Sequence, residues 1–309
     1  MRVKEAARCS LFCLLFSGTI FAQSVSSPFQ FAPIDYPGAA ETFAYGVNSS
    51  GVVVGAYVKQ PFSCTGTISS STCPTKGFKY ANGKYISLAI AGAVSTSVNG
   101  INDLGDVVGN YFVSGDNSSH GFLWHRNNNV QLLDFSSTGY LVPMGINNKL
   151  TVVGLFGDDG FTWSDGKFTL VQLMALGAAV TRINGISNNG VMVGSFYDKE
   201  NFKGFLKAGG DDDVFDNDKC QSFHSLDNGT YGINSATDIV GFALSCPIGY
   251  FAKHVELNEG PNDENEVAPS YIPVAYPGAD STQPYGVSDT RIVVGTYNGE
   301  HGFIATPMF

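Results

Sequence analysis

The stretch YGVNSSGVVVGAY at residues 45–57 is written six times along the chain. It returns as NGINDLGDVVGNY (99–111), MGINNKLTVVGLF (144–156), NGISNNGVMVGSF (184–196), YGINSATDIVGFA (231–243) and YGVSDTRIVVGTY (285–297). In every copy a first glycine (Gly46, Gly100, Gly145, Gly185, Gly232, Gly286) is followed nine residues later by a second (Gly55, Gly109, Gly154, Gly194, Gly241, Gly295), and valine precedes the second. Constant spacing of this kind marks a repeat architecture. Within the unit, a polar turn such as Asn48-Ser49-Ser50-Gly51 supplies residues that tolerate left-handed backbone, so it predicts a hairpin. The β-branched run after it, Val52 to Val54 or Ile292 to Val294, predicts a strand buried on both faces.

Further out, each unit carries a Gly-aromatic pair that predicts a third strand: Gly77-Phe78, Gly121-Phe122, Gly160-Phe161, Gly204-Phe205, Gly249-Tyr250 and Gly302-Phe303. Ile34, Leu88, Leu133, Leu173, Cys220 and Val274 stand twelve residues before the first glycines and are expected in fourth strands. Four short strands per unit make a propeller blade. The last unit lacks a fourth strand, whereas Phe29 to Tyr36 is a fourth strand without a blade, and FAPIDYPGA (31–39) parallels YIPVAYPGA (271–279). The expected fold is therefore all-β: a six-bladed propeller of four antiparallel strands per blade, with the N-terminal strand closing the last blade. A single domain over residues 23–309 is expected. An open solenoid needs distinct capping repeats, and strands of about five residues are too short for a membrane barrel.

Composition narrows the function classes. The chain has 309 residues, a formal net charge of −10 and 14% charged residues. Its acidity argues against nucleic acid or an anionic membrane as the main partner. The low charge fraction argues against disorder and coiled coil. Residues Met1 to Ala22 read as a secretory signal, with Arg2, Lys4 and Arg8 ahead of a short apolar run and cleavage near Ala22. Export to the periplasm or beyond, with no membrane span in the mature form and a monomeric state, is the resulting expectation. An oxidising compartment gives meaning to Cys64, Cys73, Cys220 and Cys246. Cys64 with Cys73 would staple a Ser/Thr/Gly-rich loop and leave Cys220 with Cys246; three pairings are open, and Cys220 also suits a small buried position.

The G-I-N-x-x-G-x-V-V-G pattern, joined to His120-Gly121-Phe122 and His301-Gly302-Phe303 and to Tyr-Pro-Gly-Ala at 36–39 and 276–279, resembles the bacterial extracellular HAF repeats. Glycine stands where that family's name has alanine, and Lys76, Asp159, Lys203 and Ile248 stand where it has histidine. The resemblance implies export and a repeat fold. It brings no activity and no functional residue.

No HExxH, G-x-S-x-G or P-loop pattern occurs, and G-I-S-N-N-G at 185–190 is a hairpin turn. His120 and His301, at the starts of third strands, suit a hydrogen bond repeated for structure. Loop length varies most between the second and third strands, which in a propeller share a face with the connections between blades. Variable loops on a rigid scaffold are where binding resides. On that face Glu41, Tyr140 and Asp227 share one ring position, and Phe43, Arg182 and Gln283 another, as a mixed polar and aromatic funnel. These six are the candidate ligand-binding residues. The acidic run holding Asp211, Asp213, Asp216 and Asp218, and a second at 262–266, offer oxygen ligands for structural calcium. Both are expected in third-to-fourth strand connections, where a solvated loop serves equally, and no other cofactor is implied. The expected function is a non-catalytic binding module for a saccharide or protein ligand. The alternatives are a carbohydrate-active hydrolase or lyase using Glu41 and Asp227, and a structural surface protein.

Overall fold

The computed structural model describes residues 27–59, 74–116, 118–133, 135, 139–173, 176–200, 202–209, 211–215, 228–243, 248–255 and 271–309, with 211–215 as backbone only. Cys64, Cys73, Cys220, Cys246, Asp216, Asp218 and Asp227 lie outside the described residues. The first strand is β1 (Phe29–Ile34). Blade 1 then runs through β2 (Glu41–Val47), β3 (Val53–Val58), β4 (Lys76–Ala81) and β5 (Lys84–Leu88). Blade 2 comprises β6 (Ala93–Ile101), β7 (Val107–Val113), β8 (His120–Trp124) and β9 (Val130–Leu133). Blade 3 has β10 (Leu141–Ile146), β11 (Val152–Phe156), β12 (Asp159–Ser164) and β13 (Lys167–Val171). Blade 4 has β14 (Val180–Ile186), β15 (Met192–Tyr197), β16 (Phe202–Ala208) and β17 (Asp211–Phe215). Blade 5 has β18 (Asn228–Ile233), β19 (Ile239–Ala243), β20 (Gly249–Ala252) and β21 (Tyr271–Val274). Blade 6 has β22 (Thr282–Val287), β23 (Val293–Tyr297) and β24 (His301–Pro307).

Each blade is a four-stranded antiparallel sheet in sequence order, except the last, whose order is β1-β24-β23-β22. The N-terminal strand thus supplies the outer strand of blade 6, pairing Phe29 with Pro307 and Ile34 with Gly302. The protein is a six-bladed β-propeller closed by its N-terminal strand.

The repeat glycines are contact points. A side chain at the second glycine would strike the carbonyl of the inner strand: that of Phe43 at Gly55, Ser97 at Gly109 and Arg182 at Gly194. The same position lies under the third-strand ring, so a Cβ at Gly55 would sit 2.9 Å from Phe78 and one at Gly109 2.8 Å from Phe122. Phe78, Phe122, Phe161, Phe205 and Phe303 are fully buried there, beside the equally buried valines that precede the second glycines. The hairpins between first and second strands are three-residue loops. Asn48 N–H donates to Val52 O and Gly51 N–H to Asn48 O, and Gly51 has φ +73°. That left-handed position is Gly105 and Gly190 in two other blades, but Leu150, Thr237 and Arg291 in the remaining three.

Three expectations for the fourth strands need correction. In blade 3 the residue opposite Gly160 is Val171, where β13 ends, so Leu173 lies two residues beyond the fourth strand. In blade 4 the residue opposite the third-strand Gly204 is Phe215, five residues before Cys220, so the register expected for Cys220 is held by Phe215. The acidic run with Asp211 and Asp213 is likewise not a connection: it forms β17, with Asp211 opposite Ala208 and Asp213 opposite Leu206. The hairpin through Gly209 pairs Ala208 with Asp211 and so brings Phe215 into register with Gly204.

Candidate functional site

Every inner strand carries the same irregularity. The register jumps between Ala44 and Gly46, Val98 and Gly100, Pro143 and Gly145, Ile183 and Gly185, Thr230 and Gly232, and Pro284 and Gly286. The residue left over is a β-bulge, which bends a strand and redirects a side chain. The six bulged residues are Tyr45, Asn99, Met144, Asn184, Tyr231 and Tyr285, and together they line an axial cavity of about 90 Å³. Beneath them the first glycines form a hub of main chain. A Cβ at Gly100 would lie 2.7 Å from Met144 O and 3.2 Å from Gly145 Cα, and one at Gly286 would lie 2.7 Å from Tyr45 O.

The axial ring has two unlike halves. Across blades 5, 6 and 1, Tyr231 and Tyr45 both pack edge-on against Tyr285, with centroids 5.3 and 5.4 Å away. Phe242 stacks on Tyr231 at 4.6 Å, and Phe43 lies 6.2 Å from Tyr45. Burial drives the phenols of Tyr45 and Tyr285 well above their ordinary range, and neighbouring Glu41 and Tyr231 add to it, so both stay neutral. Across blades 2 to 4 the ring is amide and thioether. Asn99 Nδ2 donates to Pro143 O (2.8 Å) and Asn110 Oδ1 (3.1 Å), and Asn184 Nδ2 donates to Thr230 O (2.9 Å). An arc of aromatic faces opposite an arc of fixed amides suits a ligand with one apolar and one hydroxyl-bearing surface.

The candidates read from sequence distribute unevenly around this ring. Phe43 and Gln283 sit two residues before bulged tyrosines; Phe43 is 4% exposed, and Gln283 Oε1 accepts from Tyr285 Oη at 3.1 Å. Glu41 begins the same strand, and burial, then the Glu300 charge, raises its carboxyl above the usual range. Arg182 is exposed, with its guanidinium 5.6 Å from the Phe202 ring centroid. Tyr140 is exposed with its ring 6.1 Å from Phe112. The bulged residues themselves were not singled out from sequence. The signal available was the strict glycine after each one, which the hub requires because the main chains of neighbouring blades meet there. Also missed were Thr42, Thr96, Thr181 and Thr282, buried threonines whose hydroxyls accept from Tyr36, Ile90, Leu173 and Tyr276 N–H and so pin the connections between blades. His120 and His301 do make side-chain hydrogen bonds, to Asp116 at 2.8 Å and Asp35 at 3.3 Å.

The opposite face is a belt of hairpin turns. Asn48, Asn102 and Asn147 each donate from Nδ2 to the carbonyl of the equivalent residue one blade on. Asp103 accepts from Ser49 N–H, Asn148 Nδ2 and Asn188 Nδ2; burial alone would raise its carboxyl, and these bonds outweigh it and lower it. Among the described residues no group of three His, Cys, Asp or Glu side chains is placed to hold a metal, and no helix is long and apolar enough to cross a membrane.

No protein-family model matches the chain, and no curated protein matches it in sequence. Solved structures similar to it include a catalytically inactive variant of virginiamycin B lyase from Staphylococcus aureus with quinupristin, at 13% identity over 91% of this chain and 100% of that one, with a TM-score of 0.49. A streptogramin B lyase structure covers 89% of this chain and 97% of its own at 12% identity and a TM-score of 0.48. YCF48 from Cyanidioschyzon merolae covers 90% and 85% at 7% identity and 0.44. At these identities the likeness is one of fold alone.

Proposed function

We propose that this protein is an exported, monomeric, non-catalytic binding module of the HAF-repeat kind, which holds a saccharide at the axial mouth on the variable-loop face. The observation that carries this reading is the two-sided ring of six bulged side chains, three of them tyrosines in consecutive blades. Aromatic faces match the C–H faces of a pyranose, while Asn184, Arg182, Gln283 and Glu41 offer donors and acceptors for its hydroxyls. A cavity of about 90 Å³ receives only the tip of such a ligand, so the rest would lie across the mouth.

The test is a glycan array probed with the protein lacking residues 1–22, followed by titration of the best glycan. Tyr45→Phe and Arg182→Ala are each expected to weaken binding by about tenfold, or 1.4 kcal/mol. Binding that survives both unchanged refutes the mouth as the site, and an array without signal beside a captured protein partner moves the ligand to a protein.

One observation favours a carbohydrate-active enzyme as the second reading: Glu41, with its carboxyl raised by burial and by the Glu300 carboxylate. A carboxyl raised by burial and by a neighbouring carboxyl suits the acid of a glycoside-cleaving pair. Release of reducing ends from an array-positive glycan, abolished by Glu41→Gln, would establish it; a bound glycan left intact rules it out.

A further inference from the structure

Two of the six blades place an aspartate where the others have Val52, Thr151, Val191 and Ile292, four residues after the first turn residue. Asp106 in blade 2 is 4% exposed and Asp238 in blade 5 is 0% exposed. Both are held alike by their own blade. Asp106 accepts from Asn102 Nδ2 (3.1 Å) and Arg126 N–H (3.0 Å), and Asp238 from Asn234 Nδ2 (2.9 Å) and His254 N–H (3.1 Å). What the next blade brings differs. Blade 6 sends Arg291 back over blade 5, with Nε 2.7 Å from Asp238 Oδ2 and Nη2 3.1 Å from His254 Nε2. Blade 3 has Leu150 at the position of Arg291, with nearly the same backbone (φ +60° against +64°). Leucine cannot fill that space or reach that carboxylate. The groove between blades 2 and 3 is left as a cavity of about 340 Å³, lined by Leu104, Asp106, His125, Arg126, Lys149 and Leu150 with Asn127 and Asn148.

This groove gathers positive charge on an acidic protein. Positions equivalent to Arg126 are Asn82, Asp165, Gly209, His254 and Pro307, and those equivalent to Lys149 are Ser50, Leu104, Asn189, Ala236 and Thr290. The long cations are thus peculiar to this one blade junction. Both are exposed, and neither has an acidic partner among the described residues. Asp106 is held by its internal hydrogen bonds, and His125, which also lines the groove, turns Nδ1 toward it at 3.5 Å. We propose that the groove between blades 2 and 3, on the hairpin face, binds the oxyanion of a small ligand, a phosphate or a carboxylate, between Arg126, Lys149 and His125. Arginine grips such groups through two parallel N–H donors, while lysine acts as a point charge beside it.

The experiment is a titration of the full-length ¹⁵N-histidine-labelled protein with inorganic phosphate, and in a second arm with acetate, at constant pH and ionic strength. The expected result is a saturable shift of the His125 ring resonances with His254 unmoved. Saturation by acetate alone assigns the groove to carboxylates, and saturation by phosphate assigns it to phosphate groups. Arg126→Gln combined with Lys149→Gln, both surface changes, is expected to weaken binding at least about tenfold. An unsaturable His125 response to both probes, or equal affinity in the Arg126→Gln, Lys149→Gln double variant, overturns the proposal.

Discussion

Arg291 Nε donates to Asp238 Oδ2 across the junction of blades 5 and 6, at 2.7 Å, and the carboxylate it meets is fully buried. The pair therefore differs from an ordinary surface ion pair. Removing the guanidinium leaves a buried carboxylate short of one partner, which costs far more than an exposed pair contributes. Arg291→Ala is expected to lower stability by about 2 kcal/mol, measured as a drop in urea midpoint without a change in slope. Asp238→Asn keeps the shape and should cost less.

The left-handed turn positions make a stability prediction of opposite sign. Thr237 adopts φ +56° where three other blades have glycine, and a β-branched residue is strained there. Thr237→Gly is expected to stabilise by about 0.5–1 kcal/mol after allowing for the greater freedom of an unfolded glycine. Gly51→Thr should cost about 1 kcal/mol. Thermal melts of the two variants in parallel check both signs.

The hub permits no side chain. Gly100→Ala brings a methyl group to 2.7 Å from Met144 O, so two blades must separate. A loss of about 2–3 kcal/mol is expected. Gly109→Ala, which drives a methyl into Ser97 O and against Phe122, should prevent folding.

Closure can be tested at Phe29. Its ring is 2% exposed and packs 5.8 Å from Phe251 and 5.6 Å from Phe309. Phe29→Ala is expected to cost about 3–4 kcal/mol. A loss under about 1 kcal/mol would mean that β1 adds little to blade 6 in solution.

Three hydrogen-bonded carboxylates set the acid limit. Asp103, Asp106 and Asp238 are lowered below their ordinary 3.8, because hydrogen bonds outweigh burial. Their stabilising contribution is present in full above that value and is lost as pH falls through it toward the folded values. Glu41 is raised above 4.5 and behaves oppositely: its contribution is present at low pH and lost as pH rises through its folded value. Urea unfolding across a pH series should show Asp106→Asn flattening the acid slope and Glu41→Gln gaining on the parent protein toward neutral pH.

The scaffold was legible because repetition amplifies weak signals. One glycine nine residues after another means little, but six such pairs reveal a blade, and the parallel between 31–39 and 271–279 reveals how the ring closes. Legibility failed where one copy departs from the rest. Cys220 keeps the spacing in blade 4, yet Phe215, five residues earlier, holds the register opposite Gly204. The site was half legible for a related reason. Alignment of the connections between blades picked out Glu41, Phe43 and Gln283, which lie instead in the inner strands β2 and β22, and the bulge that breaks the two-residue period there keeps Tyr45, Tyr231 and Tyr285 from being aimed by spacing alone. Asp106 and Asp238 look like lapses in an apolar run until Asn102 and Asn234 are seen to satisfy them.

A hub built of main chain has an evolutionary consequence. The blades register against one another through glycine Cα atoms and carbonyls, which are the same whatever side chains lie one residue away. Tyrosine, asparagine and methionine can therefore trade places at the six axial positions without altering blade spacing. Side-chain chemistry is free to diversify there while the geometry stays fixed, which makes the ring a natural frame for libraries randomised at Tyr45, Asn99, Met144, Asn184, Tyr231 and Tyr285.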